Sequence, residues 1–371
     1  MNSLSCSGLS RRPLHVLLAL FLQSSAVLGQ TYFNGVPFFG GDASFADEII
    51  SFDPLFSGGP APFRISPEDV LGRLDRTPFL FTAYQALGHG GAIELGFNDY
   101  YLTNDGTDAV ELYIGEVQGS PEAVYISLRP TAATRSQLGD EFDLNGDTYF
   151  EVGRYAGESY LDVYGYAIVL DVDDLFPGYA NQSLFFDAVQ IIDDPQQGSS
   201  AGDTVGMDLE SVGVIYGQFR GDFNKDQKVT VADVTLLAAA IRRANHRLQY
   251  DLDNDGLVNG SDMDVMIHSS LQTYYGDANL DGEFNSQDFV VVFAAGKYEN
   301  PTASARWDTG DWNSDGVFST TDLVLAFQDG GYEAGPRRAA IVPEPITNPL
   351  FAILALLPLV LFGNVRRKVG R

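Results

Sequence analysis

Short apolar alternations fill the chain from residue 30 to about residue 217, and Gly, Asp, Asn or Pro interrupts them every eight to twelve residues. An alternation with a period of two predicts β-strands, because neighbouring side chains of a strand point to opposite faces. No long helical pattern interrupts the strands, so residues 30–217 are predicted to form a two-sheet β-sandwich. The predicted strands are Ala92–Phe97, Val110–Ile114, Ala123–Leu128, Ala167–Leu170 and Phe185–Ile192.

After residue 217 the pattern changes to four acidic stretches, and an apolar run that suits a helix follows each one. Val212–Phe219 is predicted to be a strand, so no amphipathic helix precedes the first stretch. The C-terminal third is therefore predicted to consist of small units in which a polar loop leads into one helix. The predicted helical runs are Val234–Ile241, Met263–Ile267, Phe289–Phe293 and Leu323–Phe327.

Each acidic stretch places oxygen-bearing side chains at positions 1, 3, 5, 9 and 12 of a twelve-residue loop, and position 7 offers its backbone carbonyl. Calcium takes six to eight oxygen ligands, and a loop of this length can aim them at one point. We therefore predict Ca²⁺ as the cofactor of at least two loops; four solvated acidic turns are the alternative. The candidate ligands are Asp222, Asn224, Asp226, Lys228, Thr230 and Asp233 in loop 1; Asp251, Asp253, Asp255, Leu257, Asn259 and Asp262 in loop 2; Asp277, Asn279, Asp281, Glu283, Asn285 and Asp288 in loop 3; and Asp311, Asn313, Asp315, Val317, Ser319 and Asp322 in loop 4.

Position 6 is where such a loop turns sharply and needs a residue that tolerates unusual dihedral angles. Glycine occupies it in three loops, as Gly256, Gly282 and Gly316, whereas Gln227 occupies it in loop 1. The closing residue is Asp in all four loops, one methylene shorter than the Glu that closes a standard EF-hand. Loop 1 is therefore the weakest match to the pattern.

About 110 of the 371 residues, from Gly221 to Tyr332, resemble the dockerin family, whose EF-hand-like repeats are a loop followed by a single helix. The resemblance extends to the closing Asp and to Gly-Asp loop starts such as Gly276-Asp277 and Gly310-Asp311. It implies two repeat pairs, at 218–272 and 273–335, which calcium stabilises. It also implies a cohesin-like partner that reads positions 10 and 11, although only Thr320-Thr321 matches the family's hydroxyl pair. Purely structural calcium sites remain the alternative.

Several phrases of the β-rich half resemble a β-sandwich module of bacterial surface proteins. They imply a jelly-roll or galactose-binding-like arrangement and indicate no particular activity. The phrases are Leu87–Phe97, Asp108–Glu116, Tyr149–Gly153, Phe186–Gln190 and Asp208–Val214.

The formal net charge of -28 argues against nucleic acid or an anionic membrane surface as a partner. The single cysteine, Cys6, lies near the N-terminus in the leader described next, so a disulfide framework is not expected. A bound metal is then the remaining way to stabilise small C-terminal repeats.

The two ends of the chain carry targeting patterns. Arg11-Arg12, the apolar run Leu14–Leu22 and small residues up to Gly29 predict a secretory signal peptide at 1–29. At the other end, a linker at 336–345 contains Pro343-Glu344-Pro345, and a tail at 346–371 contains an apolar run followed by Arg366-Arg367-Lys368. This order resembles the PEP-CTERM sorting tail, which implies a transmembrane helix that an exosortase-type transpeptidase removes. A secreted or cell-surface location is expected, with the tail as a transient membrane anchor.

Catalytic chemistry is not indicated. Carboxylates are too frequent to select the facing pair that a glycosidase needs. His89 is the one histidine of the β-rich half, and no G-x-S-x-G elbow accompanies it. Asp143, Asn145 and Asp147, and likewise Asp171, Asp173 and Asp174, are predicted to be polar turns rather than another calcium site. The aromatic residues are expected in the core, with a sugar-stacking surface as the alternative: Tyr160, Tyr164, Tyr166, Phe185 and Phe186.

The leading hypothesis is a non-enzymatic, surface-sorted protein in which calcium folds the repeats. Two other hypotheses stay open. The β-rich half is a carbohydrate-binding or polysaccharide-degrading module that the repeats attach to a scaffold, or the whole chain is a structural adhesin of an extracellular matrix.

Overall fold

The computed structural model describes residues 31–33, 36–62, 65–72, 84–117, 121–159, 166–197, 205–245 and 247–337. The predicted signal peptide at 1–29, the predicted tail at 346–371 and most of the linker at 336–345 lie outside these residues. Across the part that is described, none of the helices combines the length and apolar character needed to cross a bilayer.

The described part of the chain up to residue 219, here called the β domain, is built from strands, and every strand pairing is antiparallel. The prediction of a mainly β N-terminal half is thus confirmed. The strands are β1 (Thr31–Phe33), β2 (Val36–Phe38), β3 (Glu48–Asp53), β4 (Gln85–Ala86), β5 (Ala92–Gly96), β6 (Tyr100–Thr103), β7 (Leu112–Glu116), β8 (Ala123–Pro130), β9 (Phe150–Ala156), β10 (Glu158–Ser159), β11 (Tyr166–Leu170), β12 (Phe185–Asp193), β13 (Asp208–Val214) and β14 (Gly217–Phe219).

Two main sheets enclose the larger hydrophobic cluster of the β domain, and β1 and β2 form a separate two-stranded sheet that contributes Phe33, Val36 and Phe38 to a smaller cluster. The smaller sheet runs in the order β10-β11-β7-β13-β4, and the larger contains β14-β6-β12-β5-β3 with β8 and β9 added beside β12. Ile114 and Val212 of the smaller sheet belong to the same buried cluster as Ile126, Val189 and Ile191 of the larger one. Alternate residues of the strands supply this core, as the period of two predicts.

The prediction of one strand over Val212–Phe219 was wrong. β13 ends at Val214 in the smaller sheet, and β14 begins at Gly217 in the larger one. A Cβ atom at Gly217 would lie 2.2 Å from the carbonyl oxygen of Tyr101, so the chain can approach β6 this closely only with glycine. The crossing between sheets therefore takes place at Ile215 and Tyr216.

The aromatic residues proposed for sugar stacking are partly accounted for by the core. Phe186 is fully buried, and its ring stacks on Phe176 with centroids 5.3 Å apart. Phe185 and Tyr166 are half-buried. Tyr160 and Tyr164 lie outside the described residues.

Six helices occur in the described chain, two in the β domain and four after the acidic loops. The four helical runs predicted after the loops lie in the helices observed there, although the second is shorter and continues as a π-helical turn at Met266–Ser270. The helices are α1 (Ala132–Leu138), α2 (Val172–Leu175), α3 (Val231–Arg242), α4 (Gly260–Val265), α5 (Ser286–Ala294) and α6 (Thr320–Asp329), and 3-10 turns lie at Gly41–Ser44, Pro67–Val70, Asp140–Phe142, Leu248–Tyr250 and Trp307–Thr309.

The four repeats share a hydrophobic core of their own. Leu237 of α3 and Met266 after α4 belong to the same buried cluster as Trp307, Trp312 and Phe318 further along the chain. Loops 1 and 2 with their helices are called the first pair below, and loops 3 and 4 with theirs the second pair.

The first pair lies directly against the β domain. Asn254 of loop 2 accepts a hydrogen bond from the N–H of Ala132 at 3.0 Å, and its amide donates to Asp187 at 2.9 Å. Asp187 in turn pairs with Arg129 at 2.6 Å. Lys225 of loop 1 donates to the carbonyl oxygen of Gln182 at 2.8 Å. Loops 1 and 2 are thereby held against β12, the start of α1 and the segment that precedes β12.

Candidate metal sites

The four acidic loops follow the same backbone path. Position 6 has a positive φ in each loop: 66° at Gln227, 83° at Gly256, 90° at Gly282 and 90° at Gly316. Position 4 is also left-handed throughout, which the sequence analysis did not predict: φ is 62° at Lys225, 59° at Asn254, 56° at Leu280 and 67° at Ser314. Two left-handed residues so close together produce the sharp turn that directs positions 1, 3 and 5 inward.

The first aspartate of each loop lies at the centre of that turn. In loop 2, Oδ1 of Asp251 accepts the N–H of Asp255 at 3.1 Å, and Oδ2 accepts the N–H of Gly256 at 2.9 Å. The bond from position 6 to position 1 recurs in all four loops, with lengths of 2.8 to 3.0 Å. Position 3 likewise accepts the N–H of position 5 in every loop.

The closing aspartate joins the two halves of each loop. In loop 4, Asp322 accepts the N–H of Trp312 at 2.9 Å through Oδ1 and the N–H of Ser319 at 2.9 Å through Oδ2. The same two bonds form in the other loops, and all four closing aspartates are fully buried. Asp322 is also the third residue of α6, so its bond to Ser319 completes a capping box. The short side chain thus joins loop closure to the start of the helix.

Crowding of carboxylates is strongest in loop 2, where oxygens of Asp251, Asp253 and Asp255 all lie within 4.8 Å of one another. In loops 1, 3 and 4 an Asn carboxamide occupies position 3 and lowers the negative charge. Burial raises the pKa of Asp251 to about 6, and the charges of Asp262 and Asp253 act in the same direction, while the N–H of Gly256 opposes them. Such a group is costly to ionise without a nearby cation.

Counter-charges from the protein are scarce around the loops. Among the described residues, no Lys, Arg or His forms an ion pair with the acidic side chains of loops 1 to 3. In loop 4, Arg242 reaches over from the end of α3 and lies 3.4 Å from Oδ2 of Asp311. The other oxygen of Asp311, Oδ1, is buried and has no hydrogen-bond partner. A buried carboxylate oxygen without a partner is an unusual cost unless a cation binds there.

These donors suit a hard cation. The side chains are carboxylates, carboxamides and hydroxyls, and the carbonyl of position 7 belongs to Lys228, Leu257, Glu283 or Val317. Oxygen-only sets of this kind bind calcium or magnesium, whereas zinc and copper favour nitrogen and sulfur. The acidic loops could therefore hold a metal ion.

Positions 10 and 11 of loop 4 are engaged within the protein. The hydroxyl of Thr320 bonds to Glu299 at 2.9 Å and to the hydroxyl of Tyr298 at 3.0 Å. The hydroxyl of Thr321 contacts Asn313 at 3.1 Å and Ser319 at 2.7 Å. The sequence analysis expected these two hydroxyls to contact a cohesin-like protein. In the structure both form hydrogen bonds within the chain.

A second acidic cluster lies in the β domain, and the sequence analysis missed it. Carboxylate oxygens of Asp105, Glu111 and Asp173 lie within 4.8 Å of one another. Glu111 is fully buried, and burial, with Asp105 and Asp171 nearby, raises its pKa to about 9 although the N–H of Val172 opposes the shift. The three residues follow β6, precede β7 and follow β11, so only the sheet topology brings them together.

The other acidic turns of the β domain act locally. Asp143 accepts the N–H groups of Gly146 and Thr148 and pairs with Arg135 at 3.1 Å. Asp171 caps α2 by accepting the N–H groups of the next two aspartates. Of the two triplets predicted to be polar turns, only Asp173 joins an acidic cluster.

His89 lies in the turn between β4 and β5, where its N–H donates to the carbonyl oxygen of Pro60 at 3.1 Å. This bond joins two backbone groups and does not use the imidazole ring.

A scan of the chain against protein-family models and a search of curated proteins both find no match.

Proposed function

We propose that the chain is a calcium-binding protein of the cell surface or extracellular space, in which Ca²⁺ folds the two dockerin-like repeat pairs. The observation that carries this proposal is the buried, unpartnered Oδ1 of Asp311 in one of four loops with the same turn and closing bonds. Calcium supplies the charge that the described side chains around loops 1 to 3 do not supply.

Calcium is favoured over magnesium by the construction of the loops. Six candidate oxygen donors per loop, including a backbone carbonyl, exceed what magnesium usually takes from protein, since Mg²⁺ retains several waters. The closing Asp, short and fully committed to backbone N–H groups, is expected to offer one oxygen to the ion rather than two.

Isothermal titration calorimetry of the full chain, first stripped with a chelator, tests this proposal. We expect heat from several calcium sites and little from magnesium at the same concentration. Asp255→Ala, which removes an exposed position-5 carboxylate from loop 2, should abolish one site. Asp140→Ala, an exposed aspartate of the β domain, is the matched control. A chain that takes up no calcium at millimolar concentration would falsify the proposal.

The repeats are proposed to attach the β domain, a jelly-roll or galactose-binding-like sandwich, to another protein of the envelope. The resemblance to dockerins supports a cohesin-like partner, whereas the internal contacts of Thr320 and Thr321 weaken the case for recognition through that hydroxyl pair. A pull-down with immobilised cohesin modules, with calcium and with chelator, distinguishes attachment from purely structural sites.

The location is proposed from the two ends of the chain. The order of charge, apolar core and small residues supports secretion, and the Pro343-Glu344-Pro345 motif followed by an apolar run and basic residues supports sorting by an exosortase-type transpeptidase. Intact mass of protein isolated from its native envelope tests both cleavages together. A mass equal to that of residues 1–371 would contradict them.

A further inference from the structure

The two repeats of the second pair exchange a short segment with each other. After α5, the chain turns at Gly296 (φ 67°) and reaches Tyr298, which forms a parallel bridge with Phe318 of loop 4. After α6, it turns at Gly330 (φ 82°) and reaches Tyr332, which forms a parallel bridge with Phe284 of loop 3. Each helix thus begins at one loop and ends beside the other.

A glutamate completes each half of the exchange. The N–H of Glu299 donates to the carbonyl oxygen of Phe318 at 2.8 Å, and its carboxylate accepts the N–H of Thr320 at 3.0 Å. The N–H of Glu333 donates to Phe284 at 2.8 Å, and its carboxylate accepts the N–H of Ser286 at 3.2 Å. Both glutamates have a positive φ, 52° and 55°, which aims backbone and side chain at the same neighbour.

The contacts lie on the metal-binding half of each loop. Phe318 is position 8, between the carbonyl of Val317 and the side chain of Ser319. Thr320 is the first residue of the helix that carries the closing Asp322 at its third position. A carboxylate at a helix N-terminus stabilises that end through its free N–H groups. Glu299 therefore supports three of the candidate ligand positions of loop 4, and Glu333 does the same for loop 3.

We propose that Glu299 and Glu333 are positioning residues that couple the second pair's two metal sites, so that filling one loop raises the affinity of the other. This proposal rests on the proposed function. An ion in loop 3 orders Asp288 and hence α5, and α5 delivers Glu299 to loop 4. The second ion then binds a loop that is already ordered, which is positive coupling through shared ordering.

The first pair provides the internal comparison. Positions 10 there are Val231 and Gly260, and its described residues contain no equivalent bridge between the two loops. The chain after its helices is left-handed at Ala244 and Gln272 but lacks the Gly-x-Tyr-Glu sequence of the second pair. Coupling through the two bridges and their glutamates is therefore confined to loops 3 and 4.

The chain contains its own reporters for the test. Its two tryptophans, Trp307 and Trp312, both lie in the second pair. The indole N–H of Trp307 donates to the carbonyl oxygen of Asp277 at 2.6 Å and so reports loop 3. Trp312 is position 2 of loop 4 and donates its backbone N–H to Asp322. Trp307→Phe leaves Trp312, which is part of loop 4 and also lies 6.0 Å from the ring of Phe284 in loop 3. Trp312→Phe leaves Trp307, which is bonded to loop 3.

The decisive measurement is a calcium titration of the full-length Trp307→Phe chain, with and without Glu333→Ala. Glu333 touches loop 3, so a local role leaves the calcium midpoint of loop 4 unchanged. If the two loops are coupled, Glu333→Ala should raise the calcium concentration at the midpoint of loop 4 about fivefold, which is at the lower end of typical coupling strengths. Glu299→Ala in the Trp312→Phe chain should shift the midpoint of loop 3 in the same direction, because a coupling between two sites acts on both of them. The exposed Glu141→Ala is the matched control.

The outcomes separate the two proposals. A loop 4 midpoint that Glu333→Ala leaves in place, while loop 3 weakens, overturns the coupling and leaves calcium binding intact. Absence of any calcium response in the parent chain overturns the proposed function instead. Because Trp312 contacts both loops, and because a Trp→Phe chain can fail to fold, the titration is also carried out with both tryptophans. The Hill coefficient should then fall from above 1 to about 1 in the Glu299→Ala/Glu333→Ala double variant, and an unchanged coefficient overturns the coupling.

Discussion

The first and second repeat pairs use the same loop in different surroundings. Loops 1 and 2 contact the β domain through their position-4 side chains, Lys225 and Asn254. Loops 3 and 4 contact each other through the segments that contain Glu299 and Glu333. The comparison shows that a loop's ligand pattern does not determine what holds the loop in place without its ion. That support comes from a neighbouring domain in one case and from the sister repeat in the other.

Removal of calcium should have the largest effect and should separate the two pairs. The crowded carboxylates of loops 3 and 4 lose their counter-charge together, and each loop's support depends on the other. We expect a chelator to shift the tryptophan emission to the red and to expose residues 277–335 to protease before residues 222–270. Limited proteolysis followed by mass spectrometry measures this order. Simultaneous cleavage of both pairs would contradict the comparison.

A change of pH should alter the stability of the β domain through buried carboxylates that lie outside the calcium loops. Burial raises the pKa of Glu116 to about 8 from 4.5, the Glu122 charge adds to this, and the N–H of Glu122 opposes it. The folded state then holds a proton that the unfolded state releases, so the contribution of Glu116 to stability is fully present below about pH 4.5 and is lost as pH rises to about 8. Asp208, with a pKa of about 7, adds in the same direction.

Glu116→Gln should reduce this slope, because the amide stays neutral, while Glu111, with a pKa of about 9, and Asp208 keep their contributions. We expect the parent to lose about 2–3 kcal/mol of unfolding free energy between about pH 5 and about pH 9, and the variant clearly less. Urea unfolding followed by far-ultraviolet circular dichroism, with calcium present, measures the difference. Glu141→Gln on the surface should keep the parent's slope.

The contact between the first pair and the β domain can be tested at position 4 of the loops. Asn254→Gly keeps the left-handed backbone but removes the hydrogen bonds to Ala132 and Asp187, at a cost of about 1–2 kcal/mol. Proteolysis in loops 1 and 2 should accelerate, while the second pair stays protected. Ser314→Gly makes the same backbone change in loop 4 and is the control. If each variant accelerates cleavage of its own loop equally, the change to glycine is responsible, and not the lost contact with the β domain.

The smallest effect is expected at position 6 of loop 1. Gln227 is exposed and has a φ of 66°, which glycine adopts more readily. Gln227→Gly should stabilise the calcium-loaded first pair by about 0.5–1 kcal/mol, and Gly256→Ala should destabilise it by a similar amount. Thermal unfolding at saturating calcium measures both. No atom lies within 4 Å of a Cβ built at Gly256, so its effect is conformational rather than steric.

The sequence predicted local features well, because they depend on nearby residues. The five strands predicted from alternation all lie within a few residues of observed strands, as at Ala123–Pro130, and the apolar runs located the four loop-exit helices. The turn at position 6 was predicted from three glycines. Each of these features is encoded within about a dozen residues, which a reading of one segment can detect.

Features that depend on distant residues were missed. The crossing at Ile215 and Tyr216 follows from the close approach of Gly217 to β6, and the cluster of Asp105, Glu111 and Asp173 follows from sheet topology. The exchange in the second pair had a signal, since Gly-x-Tyr-Glu ends both repeats at 296–299 and 330–333. Comparison of the repeats beyond their helices would have found it, although not which loop each glutamate contacts.

Arg242 limits how the molecule can be divided. This side chain belongs to a helix of the first pair, yet it lies 3.4 Å from Asp311 and 3.2 Å from the carbonyl oxygen of Ser314 in loop 4. A fragment beginning at residue 273 therefore lacks that arginine, together with the side chains of α3 that pack beside Trp307 in the shared core. Affinities measured on such a fragment would describe a site with a different charge, so the intact tandem is the smallest unit whose ion binding is meaningful.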